Sequence, residues 1–175
     1  KRVGLGVAPE TLHSTGVLRR MSVLYRRDDR APDMDDALRI RILPWSAARA
    51  AAQPIREAVF VAEQGVPPEL ELDDWDERSE HAVAYDGAGR PVGTGRLLPD
   101  GHIGRMAVLR EARGRGVGAR LLAALMERAR ARGMQRVALN AQLHAAPFYA
   151  RFGFAVAGAE FEEAGIPHVA MERAL

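Results

Sequence analysis

Met106-Ala-Val-Leu-Arg-Glu-Ala-Arg-Gly-Arg-Gly-Val-Gly-Ala119 reads as the end of a strand, a glycine-rich turn and the first turn of a helix. The helix continues to about residue 132, because Val117, Leu121, Leu122, Leu125, Met126 and Ala129 recur at helical spacing with the arginines on the other side. Gly133 then ends it. A strand that feeds a glycine-rich turn into a helix N-terminus is a general anion site. Glycines let successive N–H groups converge, and the helix dipole places about half a positive charge there. Arg113 and Arg115 add donors suited to a diphosphate.

The spelling narrows the choice. A nucleotide P-loop needs Gly-Lys-Ser or Gly-Lys-Thr, and the chain has no lysine after Lys1. A dinucleotide fingerprint starting at Gly116 wants a small residue where Leu121 stands, and an acid about 20 residues on, where the chain has Arg136. Neither fits.

Working outward, residues 38–43 form a short strand, and Ser46 can cap a helix that runs towards Glu63 with Ile55, Ala58, Val59 and Ala62 on one face. Pro54 should start or kink that helix. Residues 79–85 and 91–98 are strand signals joined by hairpin punctuation at residues 86–89, and residues 102–108 make a third strand. After the long helix, residues 137–141 read as a buried strand. Pro147 opens a short helix that Gly153 closes, and residues 154–156 and 169–173 supply two last strands. The expected class is α/β (α+β): a three-layer sandwich with a mixed, mostly antiparallel sheet of six to seven strands and helices on both faces.

Composition limits the function classes. The 175 residues suit one domain with a sizeable core. Without cysteine there is no disulfide, no thiolate metal site and no thioester on the protein, and a reducing, cytoplasmic setting is expected. A net charge of +2 with arginines mixed among acids argues against nucleic acid, and no apolar run is long enough to span a bilayer. Residues 1–37 lack a sustained apolar period and are expected to be a disordered extension, with residues 38–175 forming the domain.

Arg113-Gly-Arg-Gly116-Val-Gly118 resembles the Arg/Gln-x-x-Gly-x-Gly/Ala signature of the GNAT superfamily of acetyl-CoA-dependent N-acetyltransferases. Asn140, at the end of the next strand, and the aromatic run of residues 148–154 match that family too. Residues 57–65 and 164–168 further resemble a small bacterial branch with ElaA-like and YjcF-like proteins.

The resemblance implies direct transfer of acetyl from acetyl-CoA, as co-substrate, to a small-molecule amine. It implies that Met106, Ala107 and Val108 offer backbone groups to the pantetheine arm on a bulged strand that splays from its neighbour. Arg113, Gly114, Arg115, Gly116, Val117, Gly118 and Ala119 would wrap the diphosphate, with Asn140, Phe148 and Phe152 beside the coenzyme. Tyr149 is the candidate acid for the leaving thiolate. Eight acids lie between Glu63 and Glu80 against the single base Arg78, and beside an acceptor pocket they would attract an amine; an ordinary solvated loop is the other reading. Glu63 is the candidate base, and Glu63, Asp73, Arg105 and His168 are candidate acceptor-binding residues. His81 and Arg96 are expected to be structural, no metal is expected, and a homodimer is compatible with the family. The rival reading is an acetyl-CoA sensor or interaction module without turnover.

Overall fold

The computed structural model describes residues 38–175; the expected disorder of residues 1–37 lies outside the described residues. The described residues form seven strands. Four form one antiparallel sheet in the order β1 (Arg39–Pro44), β2 (Glu80–Tyr85), β3 (Pro91–Leu97), β4 (Ile103–Val108). The other three form a second sheet in the order β5 (Arg136–Gln142), β7 (Ile166–Ala174), β6 (Ala155–Glu163). One parallel bridge, His102 to Ala138, links the start of β4 to β5 and makes the arrangement mixed.

Helices cover both faces. On one side α3 (Val117–Ala131) buries Val117, Leu121, Leu122, Leu125, Met126 and Ala129, the stripe its sequence predicts. These pack with Ala82 and Ala84 of β2 and with Val137, Leu139 and Ala141 of β5. Val83, the alternate residue of β2, points to the other side and packs with Trp45, Ala48 and Ala52 of α1 (Trp45–Arg56). Burying one Leu or Val in this way contributes about 2 kcal/mol.

Three expectations about local structure change. Pro44, not Ser46, is the N-cap of α1, and no side chain caps it. Pro54 lies inside α1 without ending it, and the chain passes into a π-helical turn over Glu57–Glu63. That wider winding breaks the 3.6-residue period. Ile55 and Val59 are therefore buried, whereas Ala62 is exposed. The last two strands are also longer than the sequence suggests and form a hairpin turned by Ala164 and Gly165, both with positive φ (51° and 76°).

The link between the sheets depends on the turn before β4. Gly101 has φ 93°, its carbonyl accepts the Ala138 N–H at 3.2 Å, and a Cβ there would lie 2.9 Å from the Arg136 carbonyl oxygen. An L side chain meets both an unfavourable backbone angle and a wall of backbone. Gly101→Ala is accordingly expected to lower stability by about 2 kcal/mol in urea unfolding; an unchanged midpoint would show that this turn does not hold the two sheets together.

Candidate functional site

The turn between β4 and α3 carries two left-handed glycines, Gly114 at φ 76° and Gly116 at φ 74°. Gly116 is the N-cap of α3, and no side chain caps that helix. The first-turn N–H groups of an α-helix have no intrahelical acceptor, so an uncapped start is an anion-seeking surface. A Cβ at Gly114 or Gly116 would meet nothing within 4 Å. Backbone angle, not crowding, calls for glycine, and the space in front of the helix is open to a ligand. The turn is reached through a short 3₁₀ turn at Arg110–Ala112.

Arg113 ties the turn down. Its Nε donates to the Val108 carbonyl at 2.9 Å, and its Nη2 donates to Glu63 Oε2 at 2.8 Å, with Arg110 at 3.7 Å from the same oxygen. Glu63 thus meets arginine rather than an open cleft. Arg115 and Gly118 follow; Gly118 faces the Phe148 ring and Val108 across ordinary van der Waals distances, and Val117 and Ala119 are buried and half-buried.

Beside the turn, α4 (Ala146–Ala150) carries Tyr149, whose ring packs edge-on against Phe148 (5.0 Å) and Phe154 (6.0 Å); Phe152 lies 5.2 Å from Phe148. Burial pushes the phenol up to about 12. Tyr149 is therefore a protonated donor throughout the physiological range.

The sheet parts beyond the bridge. In the β3–β4 ladder Thr94 pairs with Ala107 and Arg96 with Gly104, so Arg105 and Met106 together oppose Gly95. This is a β-bulge, and Arg105 takes φ 51°. The splay and bulge that the resemblance implies are thus both present beside Met106, Ala107 and Val108. Side chains alternate: Met106 and Val108 pack with the α3 core, and Ala107 packs with Ile55 and Val59. On β5, Leu139 and Ala141 are buried while Asn140 is exposed; its Nδ2 donates to Glu163 Oε2 at 3.2 Å. Gln142 reaches the end of the π-helical turn, donating to Gln64 at 2.9 Å.

The acid-rich stretch, which opens with the short helix α2 (Pro68–Glu71), is part paired and part solvated: Glu69, Asp74 and Glu77 are exposed, whereas Glu71, Asp73, Asp76 and Glu80 are held by arginines. Arg56, fully buried on α1, binds Glu71, the Glu71 carbonyl and both oxygens of Asp76, and lies over the Trp45 ring. Arg96 bridges Asp73 and Asp76. Arg105 donates to the carbonyls of Leu70 and Glu71 and to Asp73 Oδ2, each at 3.1 Å. Asp73 and Arg105 are therefore each other's partners. Glu80 pairs with Arg128 and Arg132.

Electrostatics follow from the pairing. Burial works to raise the Asp76 carboxyl, but the hydrogen bonds and charges of Arg56 and Arg96 outweigh it and hold it below the usual range. Asp73 is held down in the same way, by Arg96 and Arg105 against its own burial. His81 sits 3.0 Å from the Asp76 carbonyl, and burial holds its imidazole below the usual histidine range against the pull of Asp76. His81 and Arg96 are thus buried within the ion network. His168, nearly buried, has its Nδ1 2.7 Å from the Ile166 carbonyl and stacks on Phe161.

Sequence reasoning missed Arg56, Gln64, Gln142 and Glu163. One signal was available for Arg56: it falls four residues after Ala52, on the buried stripe of α1. Among the described residues no group of three or more His, Asp or Glu could hold a metal ion, and no helix is long and apolar enough to cross a membrane.

Comparison with known proteins agrees with this architecture. A model of the acetyltransferase (GNAT) domain matches residues 49–175. The Bacillus subtilis protein YjcF, named an uncharacterised N-acetyltransferase, is 46% identical over 121 residues, which is 67% of this chain and 86% of that protein. The crystal structure of Escherichia coli ElaA has 30% identity and a TM-score of 0.69, covering 78% of this chain and 99% of the other. An acyl-CoA N-acyltransferase structure from Pseudomonas aeruginosa has 30% identity and a TM-score of 0.71 over the same shares.

The buried ion network carries its own test. Asp76→Asn leaves Arg56 and Arg96 under-compensated in the interior and is expected to lower stability by about 3 kcal/mol at neutral pH in urea unfolding. Because the folded carboxyl is held below the reference value of 3.8, its stabilisation is present above that value and is lost as pH falls through the folded one. The variant should therefore lose less stability on acidification than the parent; parallel pH profiles would contradict the assignment.

Proposed function

The chain belongs to the acetyltransferase (GNAT) family of acyl-CoA-dependent acyltransferases, and on that footing we propose that it moves the acetyl group of acetyl-CoA directly onto a primary amine of a small molecule. The observation that carries the reading is the uncapped, glycine-opened start of α3, set where β4 bulges and parts from β5 and beside the phenol of Tyr149. In this reading the diphosphate lies on the amides of residues 114–119 with Arg113 and Arg115 alongside. The pantetheine arm runs along Met106, Ala107 and Val108 in the split, and Phe148, Phe152 and Asn140 flank it.

An amine attacks the thioester carbonyl, an N–C bond forms and the C–S bond breaks. A backbone N–H near Met106 or Ala107 stabilises the developing oxyanion, a contact worth about 3 kcal/mol where such donors have been removed. Tyr149, kept protonated by burial, gives its proton to the departing thiolate and recovers one from the acylated nitrogen, which sheds its extra proton as the C–S bond breaks. Glu63 is the base in this reading, released when Arg113 turns to the diphosphate, and takes the proton of the ammonium through water. Asp73, Arg105 and His168 belong to the acceptor side.

One observation favours a second reading, an acetyl-CoA-binding module without turnover: the carboxylates of Glu63 and Asp73 are both held by arginines. Release of free coenzyme A thiol with a panel of primary amines separates the two. The enzyme reading expects saturable release with at least one amine. Tight acetyl-CoA binding without release across the panel would select the module instead.

Two variants locate the parts. Gly116→Glu places a negative side chain in the open space before α3 and is expected to abolish coenzyme binding with a modest loss of stability, on the order of 1 kcal/mol, from the left-handed backbone. Retained affinity would remove the diphosphate from this turn. For Tyr149→Phe, kcat is expected to fall at least about tenfold with coenzyme affinity unchanged; unaltered kcat would return Tyr149 to the aromatic core.

A further inference from the structure

The carboxylates around the split differ in what holds them. Glu63, Glu71, Asp73, Asp76 and Glu80 are all neutralised by arginine. Glu163 has a neutral partner instead, the Asn140 amide, and is exposed.

Its position is unexpected for its place in the chain. Glu163 pairs with Ile166 at the hairpin tip, whereas Asn140 pairs with Ala170, four residues further along β7. In a flat sheet that offset alone is about 13 Å. The bend comes from β6: Val156 pairs with Met171 and Glu160 with Val169, so β6 carries two more residues than β7 across that interval. Extra residues in one strand bend a ladder. The tip is thereby carried back across β7 to β5.

Through Asn140, Glu163 reaches β5 close to the junction of the two sheets. Asn140 stands two residues along β5 from the bridge at Ala138, and the bulge at Arg105 follows the bridge at His102 by three residues along β4. The charge of Glu163 is felt at His102 as well, where with Asp100 it opposes the downward effect of burial on the imidazole. Two residues before Glu163, on the same face of β6, the Phe161 ring is 38% exposed and stacked on His168, which faces Gln142. A carboxylate next to an exposed aromatic ring is a site for an organic cation: the charge pairs with the carboxylate, and the hydrocarbon covers the ring.

We propose that Glu163, set in place by Asn140, receives the acceptor as an ammonium ion while Phe161 carries its hydrocarbon part, so that the acceptor is an alkyl or arylalkyl amine without a carboxylate beside its nitrogen. A carboxylate there would face Glu163 and be repelled. The proposal rests on the acetyl-transfer reading only for the fate of the amine; binding itself is independent of turnover.

The test uses the whole chain and phenethylamine as probe, with and without coenzyme A, followed by NMR at the Asn140 side-chain amide. A saturable shift is expected, with phenylalanine binding more weakly than phenethylamine. Glu163→Gln should weaken phenethylamine about tenfold, the scale of a lost charge-assisted hydrogen bond, and leave coenzyme A affinity unchanged. No saturable shift, or equal affinity in Glu163→Gln, overturns the proposal while leaving the coenzyme site standing. Failure of the wild-type chain to bind coenzyme A would fall on the acetyl-transfer reading, since the amine titration is also run without it.

Discussion

A single backbone residue sets the bulge of β4, next to where the two sheets part. Arg105 takes a left-handed conformation that costs an L residue on the order of 1 kcal/mol or more, and it does so in the middle of β4. Its own side chain compensates. The guanidinium holds two carbonyls and Asp73 in the acid-rich loop, and that loop is itself held by Arg56 and Arg96. The bulge is therefore braced from outside the strand by a network whose members come from α1, the loop, β3 and β4.

Beside this bulge the pairing between the two sheets ends. Bridged at His102 and Ala138 and nowhere else in the described ladders, β4 and β5 run on towards their C-terminal ends without pairing. The uncapped start of α3 and the aromatic group around Tyr149 stand at that end. Membership of the GNAT family gives this arrangement its chemistry, acyl transfer from an acyl-CoA. The finer reading, acetyl to a small amine, assigns the split to the pantetheine arm and the β6–β7 tip to the acceptor.

What could be read from the sequence was local. The turn and α3 are legible because glycines, arginines and a 3.6-residue stripe lie within about two dozen consecutive positions. The π-helical turn was not, since nothing in the 3.6-residue pattern announces a wider winding, and Ala62 ended on the wrong side of the stripe. The long hairpin was hidden because Ala155, Ala157, Gly158 and Ala159 carry no alternation of apolar and polar residues. The ion network joins residues 15 to 35 positions apart, so the acids looked available for an amine when their partners Arg56, Arg96 and Arg105 were already assigned to other elements. Carboxylate roles come from pairing in space, and pairing has no local signature.

Coenzyme binding is proposed to depend on contact between the turn at residues 113–118 and the diphosphate of coenzyme A. Backbone amide NMR during a coenzyme A titration addresses it directly. Saturable downfield movement of the amides of Gly114, Gly116, Val117 and Gly118 is expected, the signature of N–H groups donating to an anion. Saturable binding with those four amides unmoved, or no binding at all, would contradict that dependence.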